Sequence, residues 1–313
     1  MRFRRNLRIW LKTKSDMPHK RTQPTKAYSK HYVLGLGFHG FHRVNYLEWG
    51  NEKNFPHQET LFCVHGLTRN ARDFDYFAGK LCDRYRVVCP DVVGRGDSDH
   101  LLSDESYNYL QYNADMNTLI ARLGVTEVNW IGTSMGGIIG MVLASVSQSP
   151  IRRLVVNDIG PEVSREALMS IAEYIGRSDE FASVKDVENY LRSIYPEFAP
   201  MTDEDWAHMA KYSCKRTEHG TFRMKVDRRV GDAFRDSISY FNVEMWETWE
   251  KITCPVLVLR GKDSSFLSEE VAQRMLECGP ETTLVEFDDT GHTPTLRNDE
   301  QVNIVAEWLA ETD

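Results

Sequence analysis

Apolar residues fall in short, dense runs along this chain. Thr60–His65, Arg86–Asp91, Val128–Ser134, Arg152–Asp158, Cys254–Gly261 and Thr282–Asp288 each hold a compact apolar block bounded by polar or turn residues. That pattern predicts strands buried on both faces. Between them the period changes. Arg72–Asp83 places Phe74, Phe77, Ala78 and Leu81 on one helical face, and Tyr109–Leu123, Val271–Glu277 and Glu300–Glu311 read as helices. Residues 31–49 read as two strands that turn near Gly37–Gly40. Strands separated by helices predict an α/β fold: a mostly parallel sheet with helices on both faces.

Residues 161–250 break the rhythm. They are rich in charges, helix formers and aromatics, among them Tyr174, Tyr195, Phe198, Trp206 and Trp249, and no clear sheet strand stands out. The stretch reads as a helical cap inserted over the C-terminal edge of the sheet, where sites of open α/β sheets form. Most of its aromatics are expected to be its own core. The predicted organisation is a core of 31–160 and 251–313, a cap (lid) of 161–250 and an arm of 1–30.

Composition changes this picture in three places. At 313 residues the chain can bury a full core, as one large domain or one carrying an insertion. The six cysteines are scattered, without C-x-x-C or Cys/His metal spacing, which points to buried thiols in a reducing compartment and to no metal. Charge is uneven: residues 1–30 hold ten Lys or Arg and one acid, leaving 28 basic and 45 acidic residues, a formal −17, elsewhere. An acidic body argues against nucleic acid as a partner. The arm reads as a disordered tail. Alternatively, Phe3, Leu7, Trp10 and Leu11 on one face amid arginines suit a mitochondrial presequence or a weak membrane-surface anchor. No run approaches the roughly 20 apolar residues of a membrane span, and the expected location is cytoplasmic, or mitochondrial if the arm is a presequence.

The candidate chemistry centres on Ser134. Residues 129–137 read Asn-Trp-Ile-Gly-Thr-Ser-Met-Gly-Gly, a G-x-S-x-G frame between a strand-like run and a helix-like run. A serine on such a turn has a strained backbone, needs small neighbours and presents its hydroxyl at the sheet edge. The ordinary alternative is a Gly/Ser turn without chemistry. Three further features follow predicted strands in order: His65-Gly66-Leu67, the Asp91–Asp99 loop (Asp-Val-Val-Gly-Arg-Gly-Asp-Ser-Asp), and Gly291-His292.

With these four features the sequence resembles the α/β-hydrolase fold superfamily, and its serine esterase-like members in particular, from about Tyr32 to the C-terminus. The resemblance implies a nucleophile, Ser134, and a base, His292, in the loop after the last strand. It implies an oxyanion hole from the backbone N–H groups of Leu67 and Met135, and a structural role for His65. Asp91 and Asp97 read as loop-structuring residues. The acid is open between two residues. Relatives most often place it about three residues past the glycine that ends the seventh strand, which falls on Ser264, with Asp263 one residue early. Some esterase-like relatives instead carry it in an aspartate-Ile-small-Pro turn after strand six, which Asp158-Ile159-Gly160-Pro161 resembles; Asp158 is favoured.

The implied function is a serine hydrolase that cleaves a carboxylic ester or related acyl bond through an acyl-enzyme, without cofactor or metal, on a small-molecule acyl substrate. Thioesterase, lactonase, carbon–carbon bond hydrolase and cofactor-free haloperoxidase activities use the same triad and stay open. A non-catalytic small-molecule sensor on the same fold, or an interaction module driven by the basic arm, are the readings from other classes. Oligomeric state and substrate identity are not readable from the sequence.

Overall fold

The computed structural model describes residues 27–311 apart from 51, 178, 199 and 239–242. The basic arm lies outside the described residues as far as position 26. Eight strands form one sheet: β1 (Tyr28–Gly37), β2 (Gly40–Trp49), β3 (Thr60–Val64), β4 (Arg86–Pro90), β5 (Val128–Thr133), β6 (Ile151–Asn157), β7 (Val256–Gly261) and β8 (Thr282–Phe287). Their order is β1-β2-β4-β3-β5-β6-β7-β8. β1 and β2 form an antiparallel hairpin, β2 pairs antiparallel with β4, and the remaining pairs are parallel. β1 begins inside the stretch assigned to the arm, because Tyr28, Ser29 and Lys30 pair in register with Trp49, Glu48 and Leu47.

Strand alternation divides the core into two layers. Phe62, Val64, Val88, Trp130, Leu154, Val156 and Val258 pack on one face, with Met116 and Leu119 of helix Tyr109–Leu123 and Ile139 of helix Met135–Ala144. Leu61, Cys63, Val87, Cys89, Ile131, Val155 and Leu257 pack on the other, with Phe77 of helix Asp75–Leu81 and Val305 of helix Asp299–Glu311. Both faces are covered over β3 to β8, so those strands are largely apolar, whereas β1 and the start of β2 alternate buried with exposed residues.

The register explains where a site forms. Val64, Gly132 and Val156 lie side by side on β3, β5 and β6, and Asn157 pairs with Leu259 of β7. The strands therefore end at one level, and the loops after them meet at one edge. That is the crevice where open α/β sheets bind ligands.

Residues 161–250 hold helices Arg165–Ala172, Val184–Ile194, Asp203–Ser213, Arg228–Ile238 and Trp246–Glu250. They also hold strands that the sequence reading did not find. Glu180–Phe181, Phe222–Met224 and Cys214–Arg216 form a small antiparallel sheet, and Glu162–Val163 pairs with Val243–Glu244. At two or three residues these are too short to show a period of two. The segment has its own apolar cluster around Val187, Leu191, Tyr195, Trp206 and Met209. Trp249 instead joins the first sheet layer.

Candidate active site

Ser134 sits between β5 and helix Met135–Ala144 with φ 50° and ψ −115°. A positive φ on a non-glycine residue is strained by about 1–3 kcal/mol and persists only where its surroundings enforce it. Here they do. A Cβ on Gly132 would lie 2.2 Å from the Gly136 carbonyl oxygen, and one on Gly136 would lie 2.1 Å from that of Val64. Strand and helix approach so closely that only hydrogen fits at either position. The Ser134 N–H also donates to the Asn157 carbonyl (3.0 Å), tying the turn to the end of β6.

The hydroxyl of Ser134 lies 3.2 Å from Nε2 of His292, and Nδ1 of that ring lies 2.8 Å from Oδ2 of Asp158. Asp158 is fully buried and also has a positive φ, 56°. Its Oδ1 accepts from the Gly261 N–H (2.9 Å) and its Oδ2 from the Ser264 hydroxyl (2.6 Å). The carboxylate is thus satisfied on every side, which offsets the cost of burying it. Asp263 is exposed and is not brought to His292. The Phe266 ring stacks on the imidazole, centroids 4.0 Å apart.

The loop after β3 holds Leu67. His65 is fully buried; its Nδ1 donates to the Gly66 carbonyl (2.7 Å) and its Nε2 accepts from the Val92 N–H (2.9 Å). Burial, aided by the nearby Arg95 cation, lowers its pKa to about 4, consistent with a neutral bridge between two loops. The Gly66 carbonyl and the Leu67 N–H belong to one planar trans peptide, so fixing the first turns the second the opposite way. Met135 is the first residue of its helix, so its N–H has no acceptor within that helix. Asp91 accepts from the Ala71 and Asp97 N–H groups, both at 2.8 Å, and ties the β4 loop to the segment after Leu67. Burial pushes its carboxyl up to about 6.

A cavity of about 370 Å³ lies over Ser134 and His292. Residues 161–250 supply much of its wall, including Ile171, Tyr174, Tyr195, Phe198 and Met209. Polar bonds hold that wall to the core: Thr68 to the Tyr195 hydroxyl (2.5 Å), Arg69 to Ser213 (3.1 Å) and Arg297 to Asp205 (3.0 Å). Burial opposes the charge on Asp73, but the Arg69 guanidinium on both its oxygens holds its carboxyl below the ordinary range. Among the described residues no group of three or more His, Cys, Asp or Glu side chains is arranged to hold a metal ion. No helix among them is long and apolar enough to cross a membrane.

Three supporting residues escaped the sequence reading. Ser264, at the position where relatives most often carry the acid, donates to the acid of another strand. Asn157 bonds Thr133 Oγ1 (3.1 Å) and the Pro294 carbonyl (2.8 Å), joining the elbow to the histidine loop. Phe266 stacks on the imidazole. Asn157 had a signal, a polar residue inside an apolar strand, and Ser264 stood at the usual acid position without its donor role being readable.

Sheet order, elbow and the Ser–His–Asp chain define one class: the chain belongs to the α/β-hydrolase fold family, which matches residues 59–299. It is a hydrolase by that membership and by its relatives. A 3-hydroxybutyrate-oligomer hydrolase of Cupriavidus necator is 40% identical over 278 residues, covering 86% of this chain and 94% of that protein. The crystal structure of a putative hydrolase from Rickettsia typhi superposes with a TM-score of 0.83 at 32% identity, over 92% of this chain and 100% of that one. An α/β hydrolase from Novosphingobium aromaticivorans gives 0.80 at 32% identity, over 90% and 98%.

Proposed function

We propose that the protein is a serine hydrolase of carboxylic esters, with short oligoesters of 3-hydroxy acids as its substrates. The observation that carries the first half is the unbroken hydrogen-bonded chain from Ser134 through His292 to the buried Asp158. The second half rests on the 40% identity to the 3-hydroxybutyrate-oligomer hydrolase.

On this reading Ser134 Oγ attacks the ester carbonyl carbon while His292 Nε2 takes its proton. Asp158 keeps the other ring proton on Nδ1 and stabilises the imidazolium. The Leu67 and Met135 N–H groups donate to the oxygen that becomes negative. The C–O bond to the alcohol then breaks, and His292 protonates the departing alkoxide. Water, deprotonated by His292, releases the acid and restores Ser134. Each turn on an oligoester frees one carboxylate and one hydroxyl. Residues 161–250 act as the lid that selects the acyl chain, a role supported by their share of the cavity wall.

The test is hydrolysis of p-nitrophenyl esters from acetyl to long acyl, and of the dimer and trimer of 3-hydroxybutyrate, by wild type and Ser134→Ala. The expected result is turnover of both classes, with kcat falling about 10⁶-fold in the variant and a residual rate above water. Turnover that survives Ser134→Ala would end the serine reading. Turnover of aryl esters but not of the oligoesters would end the substrate assignment alone.

A further inference from the structure

We infer that Arg95, buried under the oxyanion loop, is a positioning residue for ester cleavage. It acts by fixing both elements that carry the proposed oxyanion donors and by keeping a positive charge, with no carboxylate paired directly to it, beneath them. The inference rests on the oxyanion assignment of Leu67 and Met135.

Arg95 has no exposed surface. Its Nε donates to the Leu67 carbonyl (2.9 Å) and its Nη2 meets the Met135 sulfur at 3.6 Å. One side chain therefore touches both residues of the proposed hole, which lie on different elements, the loop after β3 and the start of helix Met135–Ala144. Its Nη1 donates to the Val93 carbonyl (2.8 Å) and the Tyr112 hydroxyl (3.0 Å), and the Tyr112 ring lies 4.9 Å from its central carbon. Among the described residues no carboxylate pairs with it.

That last fact decides between bracing and a mere core contact. A buried cation is normally neutralised by a carboxylate, because an unpaired one is costly to desolvate. Here carbonyl oxygens and an aromatic face take that part, so the net positive charge survives in a low-dielectric place. A developing oxyanion is the charge that such a potential favours. The bond to the Leu67 carbonyl adds geometry. His65 fixes the Gly66–Leu67 peptide and Arg95 fixes the Leu67–Thr68 peptide, so the Leu67 N–H belongs to one held unit and adjoins another.

The experiment compares wild type, Arg95→Met and Arg95→Lys on p-nitrophenyl acetate. It also measures the rate of Ser134 phosphonylation by a fluorophosphonate and inhibition by a phenylboronic acid, an analogue of the tetrahedral state. In Arg95→Met, kcat is expected to fall about 10²-fold, as for loss of an oxyanion donor, with KM little changed. Boronate affinity and the phosphonylation rate should fall in step with kcat. Arg95→Lys retains the charge without the planar Nε donor and should recover part of each loss. If Arg95→Met does not fold, Arg95→Lys decides: a folded lysine variant with wild-type kcat and boronate affinity overturns the inference. So does a folded methionine variant whose melting temperature drops while those readouts stay unchanged. Wild type without Ser134-dependent turnover would instead overturn the serine-esterase reading on which the inference rests.

Discussion

The sheet edge and the segment that covers it are built on opposite principles. At the edge, position is enforced by contact. A Cβ on Gly136 would lie 2.1 Å from a carbonyl oxygen, Ser134 and Asp158 are held at positive φ, and each oxygen of the Asp158 carboxylate has its donors. In residues 161–250 position is a matter of side-chain packing. Tyr195 stacks on Phe198 at 4.5 Å, and Phe198 meets Trp206 at 6.5 Å. Their ties to the core are scattered polar contacts, such as the Thr68–Tyr195 hydrogen bond and the Arg297–Asp205 and Lys225–Asp97 ion pairs. Chemistry needs reacting atoms fixed to a fraction of an ångström, whereas an apolar wall needs only shape. Substitutions of the bonded residues of the edge should therefore cost rate, and those of the wall should trade one substrate for another.

The largest expected contrast lies within the edge itself. Asp158→Asn leaves the shape but removes the charge that holds His292 in the tautomer with its proton on Nδ1, and kcat should fall about 10⁴-fold. Asp263→Asn, at an exposed carboxylate, should leave kcat unchanged. A side-by-side assay of the two variants on one p-nitrophenyl ester checks this. Equal losses, or the larger loss in Asp263→Asn, would break the claim that the edge works through bonded geometry.

A wall substitution should act differently. Phe198→Ala removes a ring stacked between Tyr195 and Trp206 and opens the cavity above Ser134. A stability loss of about 2 kcal/mol is expected, below the 3–5 kcal/mol of a fully buried phenylalanine. On acetyl esters kcat should stay within about threefold, since the variant touches no reacting group, while KM rises about tenfold through lost uniform binding. The chain-length profile should move toward longer acyl groups. A fall in kcat equal across the whole ester series would instead place the wall inside the catalytic machinery.

The same division governed what could be read from the sequence. Strands buried on both faces print as apolar runs, so the six parallel strands and the loops that follow them were legible. The elbow was legible because close approach demands glycine. The choice between Asp158 and Asp263 stayed open, since a one-residue offset in a turn decides which way a side chain points. The structure brings Asp158 to His292 and puts Ser264, the residue at the usual acid position, beside it as a donor. In residues 161–250 little was legible beyond helical character. Two-residue strands carry no period, and a contact such as Thr68 to Tyr195 spans 127 positions that no local pattern connects. Arg95 was hidden for another reason: an arginine between two loop glycines reads as surface.

The smallest effect separates the two regions by pH. His65 and Asp91 are both buried at the edge, and their shifts oppose each other. His65 falls from 6.5 to about 4. The unfolded chain binds its proton more readily, so this group's stabilisation is complete above pH 6.5 and is lost as pH falls toward 4. Asp91 rises from 3.8 to about 6. The folded chain holds its proton more tightly, so its contribution grows as pH falls from 7 and is complete below 3.8. In residues 161–250 burial opposes the charge on Asp205 and Asp227, but Arg297 and Arg229 hold both carboxyls below the ordinary range, and those groups act only in stronger acid. Between pH 7 and 5 the acid response therefore comes from these two edge groups and from His100, which burial also holds below its ordinary value, and Asp91 opposes both histidines. Asp91→Asn removes the compensating group. Its melting temperature should drop more steeply than that of wild type over this range, by the equivalent of about 1 kcal/mol at pH 5. Parallel curves would mean that Asp91 stays ionised in the folded chain and that its two N–H donors outweigh its burial.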